Sequence, residues 1–203
     1  MLIHDVEQNS DEWYQVRLGI PTASRFKDIL TSQGKPSTSS TAYRYSLVAE
    51  RLAGKPLESY QSEWMQRGTE LEPMARERYE MDTFTTLERV GFITNDEASA
   101  GCSPDGVEVV NGSIILGSEF KCPKPETHIK YSLAGKCPAE YYPQVQGSIW
   151  LCELDSWDFM SFHPDLPPFL VTVHRDDVWI SKFVEALDAF NEKLITDTQR
   201  LAA

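Results

Sequence analysis

The sequence predicts an α/β protein with a mixed central β-sheet flanked by helices. Three observations carry that reading. Apolar residues at 180, 183, 184, 187, 190, 194 and 195 repeat with a helical period. Two apolar runs within 105–122 flank the turn signal Asn111-Gly112 and read as a hairpin. Strand-like and helix-like segments are interleaved along the chain, so helices must cover the sheet.

The elements follow in order. Ser10 before Asp11-Glu12-Trp13 reads as an N-cap with acids in the first turn. Ile20-Pro21 ends that helix, and a second helix is expected over 22–31. Residues 32–41 are rich in Ser, Thr, Gly and Pro and read as a mobile loop. A third helix covers 42–53, stopped by Gly54. The pattern over 63–81 is helical, with Leu71, Met74, Ala75 and Tyr79 on one face. Strands follow near 85–94 and 105–122, then helices near 125–133 and from Pro143 to 152. Pro143 suits a first helical position, and Val145, Ile149 and Cys152 then face inward. Strands near 157–163 and 169–174 and a helix over 177–200 complete the chain. At 203 residues, without internal repeats, it is expected to be a single domain, 1–203.

Composition bounds the function. No apolar run approaches the roughly 18 residues of a membrane span, and the N-terminal segment lacks the basic-then-apolar pattern of a signal peptide. Cys102, Cys122, Cys137 and Cys152 contain no Cys-x-x-Cys pair and read as reduced, cytosolic thiols. The net charge of −12 conflicts with the basic footprint usual for DNA binding. It argues for a different substrate or for charges sorted in space. Arg17, Arg25, Lys27, Lys35 and Arg44 cluster early, while acids are dense at 58–97 and 153–165.

The chemistry concentrates in Ser103-Pro104-Asp105-Gly106 and Glu119-Phe120-Lys121. Side chains alternate faces along a strand, so Glu119 and Lys121 share one side. Phe120 points to the other, in step with Ile114 and Leu116. An acid, a second acid one hairpin away and a lysine suit metal-assisted phosphodiester hydrolysis. Hard divalent ions take one or two carboxylates and keep their waters. A second ion about 3.5–4 Å away would clamp the leaving oxygen. Lys121 would orient the attacking water or steady the phosphoryl oxygens, and the Phe120 backbone carbonyl is a further candidate ligand. A two-residue Asn111-Gly112 loop in regular register would place Asp105 opposite Ser118. Facing Glu119 requires a three-residue loop, Asn111-Gly112-Ser113, the favoured expectation, or a bulge with the same effect.

Pro104-Asp105 followed by Glu119-x-Lys121 resembles the PD-(D/E)xK nuclease signature. The wider context is more specific: Arg17-Leu18-Gly19, Thr22-Ala23-Ser24, Gly68-x-x-x-Glu72-x-x-Ala75-Arg76, Cys102-Ser103-Pro104-Asp105-Gly106, Glu119-Phe120-Lys121-Cys122-Pro123 and Gln144-Val145-Gln146-x-x-x-Trp150. Their order is similar to the phage lambda exonuclease (YqaJ-like viral recombinase) family, from Trp13 to Trp150.

That resemblance implies a restriction-endonuclease-like core. It implies a Mg²⁺-dependent 5′-to-3′ exonuclease on double-stranded DNA ends, with Mn²⁺ a possible substitute and two ions per site. The products would be 5′-mononucleotides and 3′ single strands for recombination. Asp105 and Glu119 would bind metal, Lys121 would act on the nucleophile, and Glu72 and Gln144 would support the site. Arg17, Ser24 and Ser103 would receive the 5′-phosphate, and Met65 would be an apolar wedge at the terminal base pair. A trimeric ring, a single-strand-annealing partner and a phage- or prophage-encoded protein of the host cytosol are also implied.

Plainer readings compete. Pro-Asp-Gly is a common turn, Glu119 and Lys121 suit a solvated strand face, and Gln144 suits a surface. Thr69-Glu70-Leu71-Glu72 fits a capping box, Arg17 suits a surface pair with Asp11 or Glu12, and Met65 suits a helix core. The rival functions are a site- or structure-specific endonuclease with the same metal core and a non-catalytic DNA-binding module.

Overall fold

Asn111 and Gly112 both adopt positive φ, 52° and 79°, and reverse the chain between two strands of a four-stranded sheet. The computed structural model describes residues 1–57 and 63–202, with the side chains of 63–65 outside that description. Strands β1 (Leu2–His4), β2 (Phe92–Thr94) and β3 (Gly101–Cys102) form a small antiparallel sheet. Strands β4 (Gly106–Val110), β5 (Ser113–Lys121), β6 (Ser156–Ser161) and β7 (Phe169–His174) form the larger one in that spatial order. The β5–β6 pair is parallel and the other two are antiparallel, so this sheet is mixed. A parallel neighbour needs a long crossover, and α4 (Pro125–Ala134) and α5 (Tyr142–Leu151) provide it. The other helices are α1 (Asp11–Arg17), α2 (Ser40–Ala53), α3 (Glu63–Thr83) and α6 (Asp177–Ala202).

Both faces of the large sheet are covered. Trp157 and Phe159 of β6 join Val145 and Ile149 of α5 and Phe183 and Leu187 of α6 in the main core. Met160 and Phe120, on the opposite face, pack with Ala75 and Tyr79 of α3, Leu87 and Phe162. Gly147 of α5 allows the Phe26 ring to lie on the helix, since a Cβ there would sit 2.2 Å from a ring carbon. That contact brings the segment carrying Ser24 against the helix carrying Gln144.

Several expectations are corrected. The helix expected over 22–31 is a 3₁₀ turn, Ala23–Asp28. Ala23, Phe26 and Ile29 are buried at every third position, a spacing that three residues per turn stacks on one side. The loop 32–41 is bonded rather than free. Ser37 donates its N–H to the Ile29 carbonyl at 3.0 Å, Leu30 bridges Pro36, and the Trp179 indole N–H donates to the Thr31 carbonyl at 3.0 Å. The strand expected over 85–94 is confined to β2, with residue 88 making one bridge to Val107. Strand β1, three residues long, carries too little pattern to be read from sequence. In α3, Ala75 and Tyr79 are buried but Met74 is 47% exposed. Among the described residues, no helix is long and apolar enough to cross a membrane.

Candidate active site

The hairpin register decides where Asp105 lies. Val110 pairs with Ser113, so the loop has two residues, not the three favoured from sequence. A bulge restores the geometry. Val109 pairs with Ile114 but Glu108 with Leu116, leaving Ile115 unpaired. Gly106 then pairs with Ser118, and the preceding residue, Asp105, comes beside Glu119 and Phe120. The Phe120 N–H donates to Asp105 Oδ2 at 2.6 Å, and the Asp105 N–H donates to the Ser118 carbonyl at 3.2 Å. The bulge also swaps faces: Ile114 enters the main core, whereas Leu116 and Phe120 face α3. Ile114 and Phe120 therefore do not share a side.

Glu119 is 2% exposed and accepts a hydrogen bond from Lys121 Nζ. The Lys121 ammonium also stands 5.2 Å from the Tyr141 ring centre. Burial, then repulsion from Asp105, pushes the Glu119 carboxyl up to about 7 against the pull of Lys121 and a hydrogen bond from Gln144. Burial likewise raises Asp105, partly offset by Lys121 and the Phe120 N–H. Burial alone would lower Lys121, but Glu119 and Asp105 outweigh it and hold the ammonium above its ordinary value. Glu72 is raised by burial and by Asp105. Its capping-box reading fails because α3 begins at Glu63, which leaves Thr69 and Glu72 in the helix interior.

These groups are short of positive charge. Among the described residues no three His, Cys, Asp or Glu side chains form a ready-made metal cage. A hard divalent ion does not need one. The buried Glu119 carboxyl and the half-buried Asp105 carboxyl resist ionising side by side, and fit such an ion in charge and in donor type. The Phe120 N–H faces Asp105 rather than β6, and the N–H and C=O of one strand residue share a side. Its carbonyl therefore belongs to the same edge as the acids.

The phosphate-receiving candidates lie in the same cleft. One cavity of about 220 Å³ is lined by Arg17, Ser24, Ser103, Glu72, Asp105, Glu119, Lys121 and Gln144. All eight side chains named from sequence around the two acids and the terminal phosphate thus converge. Ser10 caps α1, accepting the Trp13 N–H at 3.1 Å, and Arg17 follows one turn after Trp13. Its guanidinium lies 3.8 Å from the centre of the Trp13 ring and donates to Ser103 Oγ at 2.8 Å. No ion pair to Asp11 or Glu12 forms among the described residues. Burial lowers Arg17 to about 10, which leaves it a cation at neutral pH. Ser103 Oγ also accepts the Trp13 indole N–H at 2.9 Å and donates to the Gly91 carbonyl at 2.7 Å. Ser24 Oγ is 3.3 Å from Thr22 Oγ1. Met65 falls in the first turn of α3, and its side chain lies outside the described residues.

Sequence reasoning missed the supports. Gln8 Nε2 donates to the Val90 and Pro104 carbonyls at 2.8 and 2.9 Å, pinning the turn before Asp105. Arg76 donates to the Leu87 carbonyl at 3.2 Å and to the Asp105 carbonyl, tying α3 to that turn. Arg76 stands in the Gly68-to-Arg76 motif, but neither contact is announced locally, since Gln8 and Arg76 reach carbonyls far along the chain. Trp13 was findable, because residues four apart on a helix are neighbours. The two glutamines of Gln144-Val145-Gln146 divide their roles. Gln144 faces Glu119, whereas Gln146 is buried and bonds the His174 carbonyl and the Asp176 N–H.

The sequence pattern of the YqaJ-like viral recombinase domain matches residues 12–155, more than half of the chain. The chain belongs to that family. Among solved structures it is similar to an alkaline exonuclease (LHK-Exo) from Laribacter hongkongensis. The TM-score is 0.85 and the identity 33%, over 95% of this chain and 96% of that one. The same enzyme in complex with dAMP gives 0.84 and 34% over the same shares. A phage related exonuclease from Haemophilus somnus 129PT gives 0.62 at 20% identity over 88% and 96%, a likeness of fold alone. A comparison with curated proteins finds none that matches. Membership of the YqaJ-like family accounts for the mixed sheet with helices on both faces, the core of PD-(D/E)xK nucleases.

Proposed function

We propose that this chain is a Mg²⁺-dependent exonuclease acting on double-stranded DNA ends as one domain, 1–203. It degrades the 5′-ended strand to 5′-mononucleotides and leaves 3′ single strands for recombination. The nuclease class follows from family membership and from the near full-length likeness to an alkaline exonuclease. The finer reading rests on one observation: a single cleft holds Arg17, Ser24 and Ser103 together with the acid–lysine cluster.

Asp105, Glu119 and the Phe120 carbonyl would hold the ion, with Glu72 beside them and Mn²⁺ an acceptable substitute. Bound there, one or two Mg²⁺ ions lower the pKa of water and neutralise phosphate charge. The residues themselves do the rest. Lys121, kept protonated by Glu119, presents a fixed positive charge to the phosphoryl oxygens as charge builds up. Gln144 and Lys121 hold the Glu119 carboxylate in place. Arg17, stacked on Trp13 and fixed by Ser103, binds the terminal phosphate through its fork. This sets the scissile bond at the acids by distance from the end.

A site- or structure-specific endonuclease with the same acids has no use for a phosphate seat beside them. The test is Mg²⁺ digestion of linear duplexes, 5′-phosphorylated or 5′-hydroxyl, and of covalently closed circles. Preferential loss of the 5′-phosphorylated strand is expected; cutting of closed circles supports the endonuclease, and metal-independent binding without hydrolysis supports a non-catalytic module. A homotrimeric ring, a single-strand-annealing partner and action in the host cytosol belong to the same proposal.

A further inference from the structure

The cleft opens into a wider groove of about 970 Å³ that shares Glu72, Asp105 and Lys121 with it and is walled by Tyr14 and Lys27. Neither residue has a role in the chemistry above. We propose that Tyr14 and Lys27 form a nucleotide subsite at the cleft mouth, with the Tyr14 ring as the platform on which the base of the 5′-terminal nucleotide stacks.

Tyr14 lies three residues before Arg17 on α1, so the two side chains are neighbours on one helix face. The ring is held by an edge contact with Trp13, centres 4.9 Å apart at 76°, yet stays 38% exposed. An aromatic fixed on one side and open on another is what a base needs. Lys27 follows Ser24 by three residues on the 3₁₀ turn, where such residues stand one above the other. Arg25 in that turn is paired with Asp28, but Lys27 is exposed and forms no ion pair among the described residues. Phosphate bound at Arg17 and Ser24 would thus meet a second cation, and the attached nucleoside would lie along Tyr14. Stacking tolerates any base, as an enzyme consuming every terminal nucleotide requires. The inference rests on the 5′-phosphate seat proposed above.

The experiment is calorimetric binding of dAMP, 2-deoxyribose 5-phosphate and inorganic phosphate to the whole chain, with each also tested as an inhibitor of digestion. dAMP is expected to bind about tenfold more tightly than 2-deoxyribose 5-phosphate. Tyr14→Ala should erase that gap, and Tyr14→Phe, which keeps the ring, should preserve it. Lys27→Ala should weaken all three ligands by the same factor; unchanged affinities would remove the lysine from the subsite. Equal binding of dAMP and 2-deoxyribose 5-phosphate by the parent chain overturns the platform and leaves the phosphate seat standing. No binding of any of the three overturns the seat and the platform together. The parent comparison needs no variant, so poor folding of Tyr14→Ala cannot blur the result.

Discussion

Asp105 Oδ2 accepts the Phe120 backbone N–H at 2.6 Å, so the first acid is bonded to the strand residue next to the second. The position of Asp105 relative to Glu119 is thereby set by main chain rather than by side-chain rotamers, and Gln8 and Arg76 brace the turn from two other elements. Preorganisation of this kind lets charged groups act without rearranging during the reaction.

Glu119→Ala and Asp105→Ala should each abolish hydrolysis while leaving the circular dichroism spectrum native, because each removes a carboxylate proposed to hold the ion. Lys121→Ala should still bind the metal but lose roughly 10²–10³ in rate. Near-native turnover by the Glu119 variant would show that the site lies elsewhere.

Metal-free stability should depend on pH through Glu119. Its carboxyl is raised from 4.5 to about 7, so between those values the folded chain holds a proton that the unfolded chain has lost. Stability from this group is full below 4.5 and falls as pH rises through about 7. Mg²⁺ should therefore raise the melting temperature more at pH 8 than at pH 6, since ligands must lose their protons to bind. Thermal melts of the parent and of Glu119→Gln, with and without Mg²⁺, check this. An equal slope in both proteins would reject the assignment.

Arg17→Ala should shrink any preference for 5′-phosphorylated over 5′-hydroxyl ends. Arg17→Lys should restore it only in part, because lysine keeps the charge but loses the fork and the stacking on Trp13. Equal initial rates of the parent on both ends would sink the phosphate seat.

Gly147→Ala should lower stability by about 1–3 kcal/mol through overpacking against Phe26. It should also reduce turnover, because Ser24 and Gln144 lie on the two elements forced apart. Urea unfolding with parallel rate measurements reads both. A native midpoint would mean that Phe26 moves aside freely.

The proposed ring would reconcile the charge of −12 with a DNA substrate. A duplex held topologically needs a basic lining only, while affinity in an open groove falls steeply with salt. Light scattering should show a trimer, and digestion already under way should survive a competitor-DNA challenge that blocks new starts. A monomer halted at once by competitor would reject it. The early basic cluster serves the site only in part. Arg17 and Lys27 face the cleft and groove, but Arg25 pairs with Asp28 and Arg44 with Asp197.

Local chemistry written in consecutive residues was legible in the sequence. Ser10 as a cap, Gly54 as a stop, the period of α6 and the alternation that puts Glu119 and Lys121 on one face all follow from neighbours within a turn or a strand. The motif order identified the family as well. Tertiary structure alone decided the rest. A bulge at Ile115, which no residue type announces, brought Asp105 beside Glu119 and sent Ile114 and Phe120 to opposite cores. The start of α3 at Glu63 took Glu72 out of its cap, and the three-residue burial rhythm of Ala23, Phe26 and Ile29 tightened a helix into a 3₁₀ turn. Gln8 and Arg76 became braces through carbonyls dozens of residues away. Pairing register and long-range hydrogen bonds depend on which surfaces meet, and that is settled only when the whole chain packs.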